Sequence, residues 1–263
     1  MALDLAHIND ISRGLRGLCL GRVYLKEDCD TGDTTIKVGD DQSAALGGLD
    51  IPGSQFFRNN SLAAVLVEPN ADDVPGTAGI DHSESVTLAE PSGCPLHLTA
   101  DAAVAAGYTV VAGAYIALAD PPAVCDGLRI IVKDFTEDGV APEEKFLPGI
   151  FVTWQGTEYP STQITAYSER MTFLIRYAIL EEDGVDNRAT LLTGLEQLTN
   201  LIAEDNYLGG TVHESNVLRV VPCWRQDSQR RGQVVNAEGR QILWGDLVVS
   251  TARTVGYDKV SVA

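Results

Sequence analysis

The chain has 263 residues, 44% hydrophobic and 21% charged, a balance that supports a packed core in one or two domains and excludes wholesale disorder. Its formal net charge of −18 and isoelectric point near 4.4 argue against a surface that grips phosphate, because such surfaces rely on Lys and Arg displacing counterions. Residues 31–150 hold 18 acids against 5 bases, whereas residues 1–30 hold 5 against 4 and residues 151–263 hold 14 against 10, so the middle is the acidic part.

From Asp4 to about Leu20 the apolar residues Leu5, Ile8, Ile11, Leu15 and Leu18 fall at helical spacing, with Asp4 placed as an N-cap. Gly14 and Gly17 each weaken such a helix by roughly 1 kcal/mol against alanine. Close packing against another backbone would explain both. Gly21 then breaks to a strand over Arg22-Val23-Tyr24-Leu25.

Residues 32–121 read differently. Short apolar runs at Thr34–Val38, Leu62–Val67, Ser85–Leu88, Leu96–Leu98 and Tyr108–Val111 are separated by Gly, Pro, Asn and Asp. Short strands with turn chemistry between them predict a small antiparallel sandwich or barrel. Ala100 to Ala106 reads as a helix or a turn. Pro121-Pro122 marks the exit from this module, since paired prolines stiffen a linker and donate no backbone hydrogen bond.

A strand at Leu128–Val132 follows, then an acidic, proline-bracketed loop from Asp134 to Pro148. Phe151–Trp154 opens the C-terminal part, and Thr172–Ile179 alternates as a strand. Leu191, Leu195, Leu198 and Ile202 repeat at i, i+4, i+7 and i+11, with Leu192 and Leu201 widening the stripe. That spacing predicts an amphipathic helix over Ala189–Asp205, stopped by Leu208-Gly209-Gly210. Val217–Trp224, interrupted at Pro222, and Ile242–Thr251 read as strands flanking a polar, basic hairpin tip from Arg225 to Arg240. The expected class is α+β, a mixed or antiparallel sheet with flanking helices, plus an inserted small all-β sandwich or barrel. Residues 1–31 and 122–263 form one domain in this reading and residues 32–121 the other.

Catalytic and ligand-binding vocabulary is thin. Cys19, Cys29, Cys94, Cys125 and Cys223 are odd in number and scattered, which fits neither a disulfide framework nor a zinc site. His7, His82, His97 and His213 show no metal spacing, and His213-Glu214-Ser215 reads as ordinary loop polarity. Gly47-Gly48 and Gly209-Gly210 lack any phosphate-loop pattern. The run Glu181-Glu182-Asp183-Gly184-Val185-Asp186 lacks the ordered ligands of a calcium loop and reads as a solvated turn before a helix. The expectation is therefore no enzyme, no cofactor and no metal. The N-terminus lacks a signal-peptide pattern, and no apolar stretch approaches the roughly 20 residues that span a bilayer. Together these predict a soluble protein of a reducing compartment.

The local reversal of charge is Arg219, Arg225, Arg230, Arg231 and Arg240. It reads as a hairpin that meets an acidic partner surface, touches passing DNA or is simply solvated. Guanidinium forks suit interfacial carboxylates, which favours a subunit contact. With Glu143 and Glu144 of the 134–148 loop, these arginines are the interface or lumen candidates.

Arg170–Tyr177, Leu191–Gly210 and Leu243–Thr254, with its Trp244-Gly245-Asp246-Leu247-Val248-Val249-Ser250-Thr251 core, carry a resemblance. Their order, after an N-terminal helix and strand, resembles the tail terminator (tail-completion) and neck proteins of long-tailed bacteriophages. The resemblance covers residues 1–30 loosely and about 125–260 better. The segment 32–121 is similar to small β-modules inserted in phage neck and tail proteins, although ordinary terminators lack so large an insertion. The resemblance implies a virion protein, assembled in the host cytoplasm, that forms a homo-oligomeric ring, commonly a hexamer. Such a ring caps the tail tube, docks to the head-side connector or stopper protein and leaves a channel for DNA without sequence-specific binding or any membrane. The alternative it implies is a head–tail adaptor, or a tail or baseplate protein whose β-module binds a partner or glycan.

Overall fold

Helix α1 spans Leu5–Cys19 and buries Ile8, Ile11, Leu15 and Leu18 along one stripe, as the spacing requires. The glycine expectation has a concrete cause. A Cβ on Gly14 would lie 2.9 Å from the Leu208 carbonyl oxygen, and one on Gly17 would lie 2.9 Å from that of Arg22. The computed structural model that shows this describes residues 5–39, 51, 53–57, 62–70, 80–89, 96–130, 146–162, 166–223 and 241–256.

The remaining elements, in chain order, are β1 (Arg22–Tyr24), β2 (Thr35–Lys37), β3 (Ala63–Pro69), β4 (Ile80–Thr87), β5 (His97–Thr99), β6 (Tyr115–Leu118), β7 (Arg129–Ile130), β8 (Gly149–Thr162) and β9 (Ala166–Leu180). Helix α2 (Asn187–Ala203) and strands β10 (Glu214–Cys223) and β11 (Ile242–Gly256) complete them. The protein is α+β with mostly antiparallel sheets and, among the described residues, two α-helices.

Three sheets form. A four-stranded sheet runs β1-β6-β3-β4, a two-stranded sheet pairs β2 with β5, and a five-stranded sheet runs β10-β11-β9-β8-β7. In the last, β7 alone pairs in parallel; β8, β9, β10 and β11 are joined antiparallel. Because β9 and β10 both run antiparallel to β11, they are parallel to each other, and α2 crosses between them with β11 inserted in the gap. Strand β1 lies in the sheet of the middle segment, pairing Val23 with Ile116.

Helices α1 and α2 touch each other; α2 also packs on β9, β10 and β11, and α1 on β1 and β8. On β9 this inner face is Met171, Phe173, Ile175, Tyr177 and Ile179, all buried, the period-2 alternation of a strand packed on one side. Leu191, Leu195, Leu198, Leu201 and Ile202 of α2 are at most 2% exposed, each contributing roughly 1.5–3 kcal/mol of burial. Leu192 does not join that stripe and is exposed. A single cluster of buried side chains runs from α1 through the middle segment to β11.

Several boundaries differ from the sequence reading. Helix α2 starts earlier because the Asp186 side chain accepts the Ala189 N–H at 3.1 Å, a capping contact that makes Asn187 the first helical residue. It stops at Ala203, before the glycines, because the Asp205 carboxylate takes the N–H groups of Tyr207 and Gly209 and diverts them into a turn. Leu208, Gly209 and Gly210 then follow with φ of 47°, 66° and 71°. Tyr108–Val111 is not a strand. Tyr108 makes one bridge to Cys29, and the next two N–H groups go to carboxylates: Thr109 to Glu68, and Val110 to Asp28 at 2.7 Å. The strand forms instead at Tyr115–Leu118. Ala100 bridges Leu88 and residues 101–106 are bends and irregular chain, not a helix. Pro222 sits on β10, an edge strand among the described residues, the sheet position that tolerates proline.

Candidate functional site

Of the interface candidates, Arg219 is placed: it lies exposed on β10, in register with Val248 just after a bulge at Val217/Arg219. Arg225, Arg230, Arg231, Arg240, Glu143 and Glu144 lie outside the described residues, so the structure does not bring the set together. Strand β10 pairs on one side with β11 and, among the described residues, has no strand on the other. Its neighbours Leu218 and Val220 are 60% and 40% exposed. An exposed edge with apolar side chains is a template for association unless it is blunted.

The face of the five-stranded sheet turned away from the helices carries a second small cluster, in which Phe146, Leu147, Leu180 and Trp244 pack against Phe151, Ala178 and Ile242. Beside it Arg176 grips Asp246 across β9 and β11 in a forked pair, Nε to Oδ1 at 2.7 Å and a terminal NH₂ group to Oδ2 at 2.9 Å. A second cross-strand pair, Arg253 to Glu169 at 2.7 Å, is almost wholly enclosed. Both pairs follow from the register, which sets 176 opposite 246 and 169 opposite 253. A planar fork on a carboxylate is among the stronger polar contacts available.

The turn after α2 is the joint of the molecule. Asp205, fully buried, accepts from Ser54 Oγ and from the N–H groups of Gln55 (3.4 Å), Tyr207 (3.1 Å) and Gly209 (2.9 Å). Its carboxylate thereby pins residues 54–55 of the acidic segment to the C-terminal half. Burial pushes its pKa above the ordinary carboxyl range, and the four donated bonds oppose that push. Gly210 closes the same joint: its φ of 71° suits glycine, and a Cβ there would overlap the Val38 carbonyl oxygen.

Beside this joint, α1, β1 and residues 208–211 enclose a cleft of about 270 Å³. Its polar lining is Asp10, Arg13, Arg22, Tyr24, Lys26 and Thr211, three cations against one carboxylate. The Arg13 guanidinium lies 4.0 Å from the Tyr24 ring centre and that of Arg22 lies 4.3 Å from the Tyr115 ring centre, stacking that fixes both forks. Lys26 Nζ donates to Thr211 Oγ1 at 3.2 Å. No carboxylate among the described residues pairs with Arg13, Arg16 or Arg22, and the Nε atoms of Arg16 and Arg22 are buried without a hydrogen-bond partner. Burial draws the Arg16 pKa below its usual value. The sequence reading passed over this cleft, although a signal was present: residues 11–26 hold four bases and no acid.

The catalytic vocabulary disperses. Ser215 Oγ donates to the Asp205 carbonyl, Asn216 donates to Glu214, and His213 Nδ1 takes the Thr254 N–H; successive residues of an extended chain face opposite ways. Cys29 and Cys125 are pushed up to about 11, chiefly by burial, so both stay thiols near neutral pH. Among the described residues no group of His, Cys, Asp or Glu is arranged to hold a metal ion, and no helix is long and apolar enough to cross a membrane.

The sequence matches no protein-family model and no curated protein.

Proposed function

We propose that this chain is a virion structural protein of a long-tailed phage, a tail-terminator or neck subunit that assembles into a homo-oligomeric ring of six. In this reading residues 1–31 and 122–263 are the terminator-like, ring-forming body, and residues 32–121 are an inserted acidic β-rich module of sandwich or barrel type. The ring stops tube growth, presents a surface to the head-side connector and leaves a channel for DNA.

The observation that carries the reading is the β10 edge: a strand paired on one side with β11 and, among the described residues, open on the other, bearing Leu218, Arg219 and Val220 toward solvent, on a sheet whose inner face is already filled by α1 and α2. Apolar side chains at an open edge favour a protein contact, and an arginine among them suits an acidic partner. The net charge of −18 fits a channel wall along which DNA slides without sticking.

The test is light scattering and negative-stain imaging of the purified chain, alone and with tail tubes. Rings that cap tube ends are expected. A protein that stays monomeric at high concentration and ignores tubes refutes the reading. Twelve-fold particles, or placement at the distal end of the tail, would assign it instead to an adaptor or baseplate role.

A further inference from the structure

The cleft between α1 and β1 is a local positive site on a strongly negative chain. Its two forks, Arg13 and Arg22, are held by aromatic stacking, and among the described residues neither forms an ion pair with a carboxylate, Asp10 of the same lining included. Guanidinium groups held in place without an acidic partner are prepared to receive one. At the other end of α2, the turn from β9 carries Glu182, Asp183 and Val185, all exposed, with Val185 at 48%. Asp186 of that turn is engaged as the helix cap. The Asp183 carboxylate has no partner among the described residues.

The acidic turn precedes α2, and the cleft is lined by Leu208, Gly209 and Thr211 just after it. The 17 residues of α2 separate the two by roughly 25 Å at 1.5 Å per residue. Acid at one end of a helix and base at the other cannot meet within one chain. They meet when copies stack head to tail, the heterologous arrangement that closes into rings.

We propose that this cleft is the receiving half of a head-to-tail contact between copies of the chain, occupied by the Glu182–Asp183 turn of a second copy. Asp183 of that copy enters between Arg13 and Arg22, and Val185 packs against the apolar part of the rim. The inference rests on the self-associating reading above and names the surfaces that carry it. A phosphate or nucleotide is the weaker occupant, because the acidic surroundings repel a polyanion while a turn bearing two carboxylates arrives with its own apolar contact.

The test measures self-association of the full chain by sedimentation velocity. Arg13→Glu and Asp183→Arg should each weaken it by about tenfold or more, and the double reversal, or an equimolar mixture of the two single variants, should restore it to within about threefold. Raising the salt from about 0.1 M to about 1 M should weaken the wild type more than either single variant, since screening shortens from about 10 Å to about 3 Å. If Arg13→Glu fails to fold, Arg13→Gln removes the charge without reversing it and should weaken association by about threefold. Wild-type rings that neither reversal disturbs would overturn this inference and leave the ring reading standing. A strictly monomeric wild type would remove both. Titration with inorganic phosphate supplies the last arm: tight binding that Arg13→Glu abolishes, with assembly unchanged, would make the cleft a small-anion site and refute the proposal.

Discussion

Asp205 offers a sharp test of how the two halves are held. In Asp205→Ala, at least two buried donors, Ser54 Oγ and the Gly209 N–H, lose their acceptor. At about 1–3 kcal/mol for each stranded group, the loss is roughly 2–6 kcal/mol, a large share of the stability of an ordinary domain. Asp205→Asn is more discriminating. Each carboxylate oxygen faces a backbone N–H, Gly209 at Oδ2 and Tyr207 at Oδ1, so either orientation of the amide sets an NH₂ against a donor. A protonated carboxyl avoids this by donating to Ser54 Oγ while its second lone pair keeps Gly209. Asparagine should therefore cost about 1–3 kcal/mol.

The sign of the pH dependence follows from the raised pKa. Over the window between the ordinary carboxyl value and the raised one, the folded state binds more protons than the unfolded state, so wild-type stability falls as pH rises. The asparagine variant lacks that ionisation, and the gap between the two proteins should be widest at the acid end. Urea unfolding followed by tryptophan fluorescence at about pH 5 and about pH 8 measures it. A variant as stable as wild type at both, or a gap that widens with pH, would refute the reasoning.

Three further outcomes are expected. Gly210→Ala, strained at its φ of 71° and blocked by the Val38 carbonyl, should lose about 3 kcal/mol or more, whereas Gly32→Ala, at φ 99° with nothing within 4 Å, should lose about 1 kcal/mol; thermal melts compare them. Arg176→Met strands Asp246, and because the two side chains are 23% and 14% exposed the loss should be about 1–3 kcal/mol, between surface and buried pairs; adding Asp246→Leu should recover part of it in a denaturant double-mutant cycle. Arg219→Glu, on the exposed β10 edge, should leave folding within about 0.5 kcal/mol and weaken assembly in sedimentation. A melt that falls while assembly is untouched would remove Arg219 from the interface.

Much of the fold was legible locally. The stripe Leu191, Leu195, Leu198 and Ile202 determined α2 because every member is buried by one sheet face, and Leu5–Cys19 followed from the same periodicity. Tyr108–Val111 misled for a definable reason: its composition suits a strand, but Glu68 and Asp28, far off in sequence, take the N–H groups a neighbouring strand would need. The basic cleft escaped for a similar reason. Four bases between residues 11 and 26 are visible in the string, but stacking on Tyr24 and Tyr115 depends on β1 pairing with β6.

Sequence by itself determined the α+β class, the two helices, the acidity of the middle and the tight backbone contacts at Gly14 and Gly17, since periodicity, charge and the missing Cβ are local properties. The tertiary structure alone decided that β11 lies between β9 and β10, that Asp205 clasps residues 54–55 and that Arg176 meets Asp246. The first depends on strand register and the last two on contacts between residues 151 and 70 positions apart, pairings about which no local pattern carries information.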